Sequence, residues 1–361
     1  MSSRETTLRS LSLARLPWRQ ADMRLLVPVF AAIAAWLTLS AVLKAMIHGA
    51  PGASASLTPS YYNYAFRNAL MFFQGALIIG AVRLALGLLK EGGLDGMKAA
   101  LVGQKSRILA LPLLFVAGLV SFALFMSAYS GIKVRIPSLH PFAWDDAFVA
   151  WDRALFFGHD PWAVFGFIYD SPFLLRSVDF LYDLWAVLLV GSWMVCFVMG
   201  NRADVARRLQ YCLALILTWF VGGNLLAIFF SSAGPCFYDH VGVDPAYYSG
   251  LFDRLAATPG LRAPEMQQML WQTFEQDGLG IGGISAAPSM HCATAFLFVL
   301  MFGRTPLRRT VTGVYFAVIL SGSVILGWHY FIDGLMGAAI AFACWKLCGH
   351  FAARLAPAEG C

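Results

Sequence analysis

The sequence predicts an all-α, polytopic membrane helical bundle of about eight spans, each an apolar run near the length that crosses a bilayer. Two properties of the whole chain agree. Hydrophobic residues make up 59% of the 361 positions and charged residues only 13%, with a mean hydropathy of +0.67. A soluble domain carries about 25% charge. Basic residues also segregate to alternate connections between the runs. Backbone N–H and C=O groups in lipid must be satisfied within the segment, so the runs are read as helices.

In chain order the predicted spans are 25–43, 66–87, 108–128, 178–199, 210–231, 288–303, 310–328 and 330–352. The first five are long and apolar. The run at 288–303 is short, 310–328 is interrupted by polar residues, and the last two divide around His329. The first run has no convincing small-residue cleavage site and reads as a spanning helix, not a cleaved signal peptide. Four regions follow: a basic tail (1–24), two leading spans (25–106), a core of six helices (107–354), and a short C-terminal tail (355–361).

Charge sets the expected orientation. The N-terminus, 83–107, 200–209, 304–309 and the C-terminal region hold 18 of the 26 Lys and Arg against 6 acids; the other side holds 8 basic residues and 14 acids. The positive-inside rule then puts both termini in the cytoplasm and the long loops 129–177 and 232–287 outside. Arg202, Arg207, Arg208, Arg304, Arg308 and Arg309 anchor the two short cytoplasmic loops. The net charge of +6 is accounted for by topology, with no nucleic-acid partner implied. A plasma or inner membrane is the expected location. The seven cysteines fall mostly in apolar runs, where a thiol acts as a small hydrophobe. Only Cys344 and Cys348 are spaced like ligands, and their span offers no others, so no disulfide framework, metal or cofactor is expected.

The outer loops carry too many large apolar residues to be featureless. Loop 129–177, with Pro137, Pro141, Pro161 and Pro172, contains the aromatic and acidic stretch 145–153 and predicts one or two short interfacial helices. Loop 232–287 starts with Gly234-Pro235-Cys236-Phe237-Tyr238-Asp239 and ends in the glycine-rich 278–283. Its Phe252, Leu261, Met266, Met269, Leu270, Trp271 and Phe274 argue against disorder.

Two stretches carry chemistry. In Ser285-Ala286-Ala287-Pro288-Ser289-Met290-His291, Pro288 suits the first turn of a helix. The following N–H groups, Met290 among them, would face outward at the positive end of the helix, a ready anion site to which Ser289 adds a hydroxyl. In His329-Tyr330-Phe331-Ile332-Asp333, the histidine and aspartate stand at i and i+4 and, if helical, share a face. A carboxylate on one ring nitrogen fixes the tautomer and leaves the other free to attack. Topology returns His329 to the face of His291. Plain roles compete: a helix-capping residue for His291, an interfacial one for His329. Asp179 and Asp183 form another i, i+4 pair that would bind an acceptor hydroxyl or pair with Arg176. Gly337 and Ala341 read as helix-packing residues.

Together, Pro288-Ser289-Met290-His291 and His329-Tyr330-Phe331-Ile332-Asp333 resemble the second and third signature motifs, PSGH and SR-x5-H-x3-D, of the type 2 phosphatidic acid phosphatase superfamily. Met in place of Gly, and the His-Tyr-Phe-x-Asp form, are closer to its inositol phosphorylceramide synthase branch, an inositolphosphotransferase group. The Pro- and aromatic-rich start at Gly234 is similar to that branch's first motif. The resemblance covers roughly 129–345. It implies that His329 forms a phosphohistidine, that Asp333 orients it, and that His291 protonates the leaving oxygen and then deprotonates the acceptor. Ser289 and the Met290 N–H would hold phosphoryl oxygens without a metal. The family's Lys-x6-Arg-Pro motif is absent, and Gly322 and Ser323 stand where its Ser-Arg pair would be. Lys133 and Arg135, then Arg254 and Arg262, are the candidates to replace the cationic clamp; a plain interfacial anchor competes for Lys133. The expected activity is that of a lipid phosphatase or phosphotransferase, leaning to transfer of a phospho-head group. Its partners would be a phospholipid or lipid phosphate and an alcohol or water acceptor. The alternatives are a phosphatidic acid or polyprenyl pyrophosphate phosphatase, and a non-catalytic lipid transporter or binding protein on the same scaffold.

Overall fold

A computed structural model describes residues 20–46, 105–198, 204–277 and 283–355. All regular structure among them is helical. The principal helices are α1 (Gln20–Met46), α2 (Lys105–Lys133), α3 (Asp145–Leu155), α4 (Pro172–Val198), α5 (Val205–Phe220), α6 (Arg262–Asp277), α7 (Met290–Phe302), α8 (Pro306–Ile325) and α9 (Phe331–Leu355). The predicted span 66–87 lies outside the described residues, as do most of both tails and 278–282.

Five stretches are long and apolar enough to cross a membrane: Asp22–Leu43, Ala110–Leu139, Pro172–Val198, Val205–Phe229 and Phe331–Leu355. α7, with 13 residues, rises only about 20 Å, whereas the 20 residues of α8 reach about 30 Å. Boundaries moved where local chemistry overrode hydropathy. α4 begins at Pro172, ahead of the predicted 178, because a proline needs no partner for a missing N–H in the first turn. The Ser171 hydroxyl accepts from the Leu174 N–H just inside. α2 runs on to Lys133, beyond the end predicted at 128. The fifth span continues past α5 through a π-helical turn at Val221–Leu226 and Ala227–Phe229.

α9 packs against both α5 and α7. α7 also lies on α8, α4 spans α2 and α8, and α1 covers α2 and α5. The approach of α9 to the start of α7 depends on Gly337, where a Cβ would stand 2.3 Å from the Ser289 carbonyl oxygen. Small residues let helices approach this closely, as the spacing of Gly337 and the buried Ala341 predicted. Phe125 stacks on Trp193 at 5.6 Å in the buried core. Polar groups near the core pair across helices: Trp36 donates to Asn224 Oδ1 at 3.1 Å, and the Asn224 amide donates to the Tyr129 carbonyl at 3.2 Å.

The two ends differ in chemistry. At one end the short arginine-rich loops meet. Arg304 forms a two-pronged bridge to Asp204 at 2.8 and 2.9 Å, and Arg207 donates to the Leu300 and Met301 carbonyls that terminate α7. The last carbonyls of a helix have no intrahelical partner, and cations suit that end. The other end holds the starts of α7 and α9, covered by the long loops. The first loop forms α3 and short helices at Ile136–Leu139, Pro161–Val164 and Gly166–Tyr169. α3 is amphipathic: it buries Phe148 and Val149 and exposes Trp151 and Leu155. The second loop is helical at Pro235–Phe237, Tyr238–Val241, Ser249–Ala256 and α6.

Candidate active site

Ser289 caps α7. Its backbone is extended (φ −70°, ψ 113°), and its hydroxyl oxygen accepts from the Cys292 N–H at 3.4 Å. Pro288, expected in the first turn, precedes the cap instead. A serine oxygen satisfies an otherwise orphaned amide three residues on, which proline cannot do, so the cap falls on Ser289. The helix starts at Met290, and His291 is its second residue. The Ser289 N–H donates to the Asp333 carbonyl at 3.1 Å, tying the two motifs together through the backbone.

His329 is not helical. It lies on the turn between α8 and α9, where its N–H and that of Trp328 both donate to the Ser323 carbonyl, at 3.1 and 2.8 Å. Asp333 lies in the first turn of α9. Its Oδ2 accepts from the Tyr330 N–H at 3.2 Å and stands 3.7 Å from His329 Nδ1. The predicted pairing therefore forms by another route than a shared helical face. A carboxylate inside the first turn reaches back to the residue ahead of the helix, as in a capping box, and meets the imidazole there. The two imidazoles come together, with ring centroids 5.6 Å apart at 58°.

Burial, reinforced by the charge of Lys133, pushes the His329 ring down to about 3, against the Ala286 carbonyl that favours its protonation. At neutral pH the ring is an uncharged base with an available lone pair. Lys133 lies within electrostatic reach of both imidazoles, with its ammonium 5.5 Å from the Tyr129 ring centre. Gly283, at φ +66°, closes the glycine-rich stretch against this point: a Cβ would stand 2.9 Å from the Val134 N and Cα. Arg135 is nearly buried, and its guanidinium donates to the Gly131 carbonyl. The other two candidate cations are engaged elsewhere, Arg254 with Asp170 at 3.5 Å and Arg262 with Asp183 at 2.5 Å. Asp179 accepts from the Arg262 and Ala263 N–H groups at 2.8 and 3.0 Å. The Asp179 and Asp183 pair thus holds the start of α6. Arg176, the partner expected for it, donates to the Pro259 carbonyl at 3.3 Å.

Sequence reasoning missed two sets of residues. The first is on α4: the Tyr182 ring stacks on His291 at 4.9 Å and 22°, and the Trp185 ring lies 4.0 Å from it. Their helical spacing puts them on one face, and they interleave with the acidic pair that drew attention. The second set is on α3. Asp145 accepts from the Ser232 hydroxyl (2.8 Å), the Ala233 and Gly234 N–H groups (3.1 and 2.9 Å) and the Tyr330 hydroxyl (2.9 Å). Asp152 accepts from the Phe331 and Ile332 N–H groups at 2.7 and 2.8 Å. These two carboxylates lie two helical turns apart on one face and grip the residues directly after His329. The only available signal was the acidic content of an otherwise aromatic stretch.

Among the described residues, no group of three or more His, Cys, Asp or Glu side chains is arranged to hold a metal ion. A neutral imidazole beside a carboxylate, a second imidazole across a short gap, a helix N-terminus and one lysine suit attack on an anionic, tetrahedral centre. A family model described as the PAP2 superfamily matches residues 146–347. No curated protein and no solved structure matches the chain.

Proposed function

The chain belongs to the PAP2 superfamily, which supports a phosphatase-type activity on lipid-related substrates, and from that premise we propose that it transfers the phospho-group of a membrane lipid through a phosphohistidine on His329. The observation that carries this reading is the meeting of His291, His329 and Asp333 from separate helix starts.

The lone pair of the His329 nitrogen remote from Asp333 attacks phosphorus. The bond from phosphorus to the leaving oxygen breaks, and His291, protonated once the anionic substrate is bound, gives that oxygen its proton. Asp333 holds the ring and balances the positive charge that develops on it. In the second half His291 takes a proton from water or an alcohol, whose oxygen attacks phosphorus as the phosphorus–nitrogen bond breaks. Ser289, the Met290 N–H, Lys133 and Arg135 hold the phosphoryl oxygens. Phosphoryl transfer depends above all on such positioning and charge stabilisation. With Ser323 where the family's arginine would stand, the cationic clamp is weak. That favours a singly charged phosphodiester and hence head-group transfer over hydrolysis of a monoester. The basic loops at the opposite end support a reaction at the extracytoplasmic face with both termini inside.

Purified protein in mixed micelles with phosphatidic acid or with phosphatidylglycerol, and with diacylglycerol of a different acyl length as the acceptor alcohol, followed by lipid mass spectrometry, tests this. The expected result is a transferred head group from the diester, abolished in His291→Ala. Free phosphate from phosphatidic acid, with no transfer product, overturns the transferase reading in favour of a lipid phosphate phosphatase. Unchanged lipid movement in His329→Ala, with no turnover in either protein, overturns the enzyme reading in favour of a transporter.

A further inference from the structure

Two polar atoms next to His291 have no hydrogen-bond partner: the Tyr182 hydroxyl and the Trp185 indole N–H. Their residues are only 6% and 7% exposed. Buried tyrosine and tryptophan usually find a partner for these groups, and leaving one unpaired carries a desolvation cost. Both rings lie directly on the His291 imidazole. Across from them the His329 ring lies 5.6 Å from that of His291, so both groups belong to side chains packed on the histidine pair.

The chain's departure from the family pattern falls at the same place. A Cβ on Gly322 would stand 3.4 Å from Tyr182 Cδ2 and 3.1 Å from Val178 Cγ1. The Ser323 hydroxyl is turned back to the Leu320 carbonyl at 2.8 Å. Where the family's pattern carries Ser-Arg, this chain has a missing side chain and a short one, and the Tyr182 ring occupies the space beside them.

We propose that Tyr182 and Trp185 bind the substrate: their O–H and N–H donate to phosphoryl oxygens as neutral stand-ins for the absent arginine. This rests on the reading of the His291–His329 gap as a phosphoryl site. Neutral donors favour a singly charged phosphoryl group, because they add hydrogen bonds without the charge needed to balance a dianion. The stacking also aligns His291, but that role belongs to the rings and not to the polar atoms, so the two roles separate experimentally.

The test is binding of inorganic orthovanadate to the full chain in detergent, by titration calorimetry, with thermal melting of each variant. Tyr182→Phe keeps the ring and removes only the hydroxyl. The expected result is about tenfold weaker orthovanadate binding, equivalent to about 1.4 kcal/mol, with a melting midpoint no lower than that of the unmodified chain. Trp185→Phe is the second variant and should weaken binding to a similar degree. Binding unchanged in Tyr182→Phe, with unmodified protein still binding and His329→Gln not, overturns this proposal and leaves the phosphoryl site standing. No orthovanadate binding by the unmodified chain overturns both.

Discussion

Asp145, Asp152 and Asp179 are buried almost as deeply as Asp333, yet the protein treats them differently. Every oxygen of the first three accepts at least one hydrogen bond. Asp333 leaves Oδ1 without a partner, as do His329 Nδ1, the Tyr182 hydroxyl and the Trp185 N–H around it. The first set forms a brace that holds the outer loops and the start of α9. The second set belongs to the side chains that meet at His291 and His329. An unsatisfied buried group costs about 1–3 kcal/mol, so stability alone does not favour four of them side by side. The difference separates carboxylates buried for structure from groups buried for chemistry, which burial by itself does not.

Substitutions should pull the two regions apart. The largest effect belongs to the histidine pair: His329→Gln should lower turnover by at least about 10³-fold, as loss of a catalytic nucleophile does. Lipid turnover by protein that melts normally checks this, and retained activity would remove the distinction. Next comes a crossed pair. Asp145→Ala strands the four groups it accepts from and should lower stability by about 3 kcal/mol or more. Asp333→Asn keeps an oxygen for the Tyr330 N–H and should cost less than about 1 kcal/mol of stability while losing most activity. Thermal melting and turnover of both variants give the comparison, and equal stability losses would sink it.

The smallest effect is on pH dependence. Burial raises the Asp152 carboxyl to about 7, with Asp333 and Asp160 adding to it, against the Phe331 and Ile332 N–H groups. As pH rises from about 4 to about 7, the unfolded chain gives up a proton that the folded chain keeps, so this contribution to stability is lost across that window. His329 behaves oppositely. The unfolded chain takes up a proton below about 6.5 that the folded chain refuses until about 3, so stability is lost as pH falls. The two slopes oppose each other in the unmodified chain. Asp152→Asn should leave the loss on acidification, and His329→Gln the loss on rising pH. Melting midpoints between pH 4 and 7 measure both, and identical profiles would show that neither group is perturbed as described.

Much of the architecture was legible because hydropathy and cap chemistry act locally. The long apolar runs gave the spans, as at Pro172–Val198, and the arginine-rich loops meet at one end as their sequence indicated. The apolar residues of 232–287 were sufficient to predict ordered structure there, and α6 is its largest piece. Ser289 and His291 were correctly placed at a helix start, while Pro288 was expected inside the first turn and instead precedes the cap. The route by which His329 meets Asp333 was misread, since an i, i+4 spacing is compatible with a helical face and with a cap.

The sequence by itself determined which segments are long and apolar enough to cross a membrane, and that two histidines belong to one end of the bundle. These follow from composition and from contacts among residues a few positions apart. Only the tertiary structure decided what surrounds the histidines. Asp145 reaches Tyr330 across 185 positions and Trp36 reaches Asn224 across 188. Tyr182 and Trp185 flank His291 because α4 packs across the mouth of α7 and α8. A side chain's hydrogen-bond partner depends on which helix face packs against it, and periodicity along one segment carries no information about its neighbour.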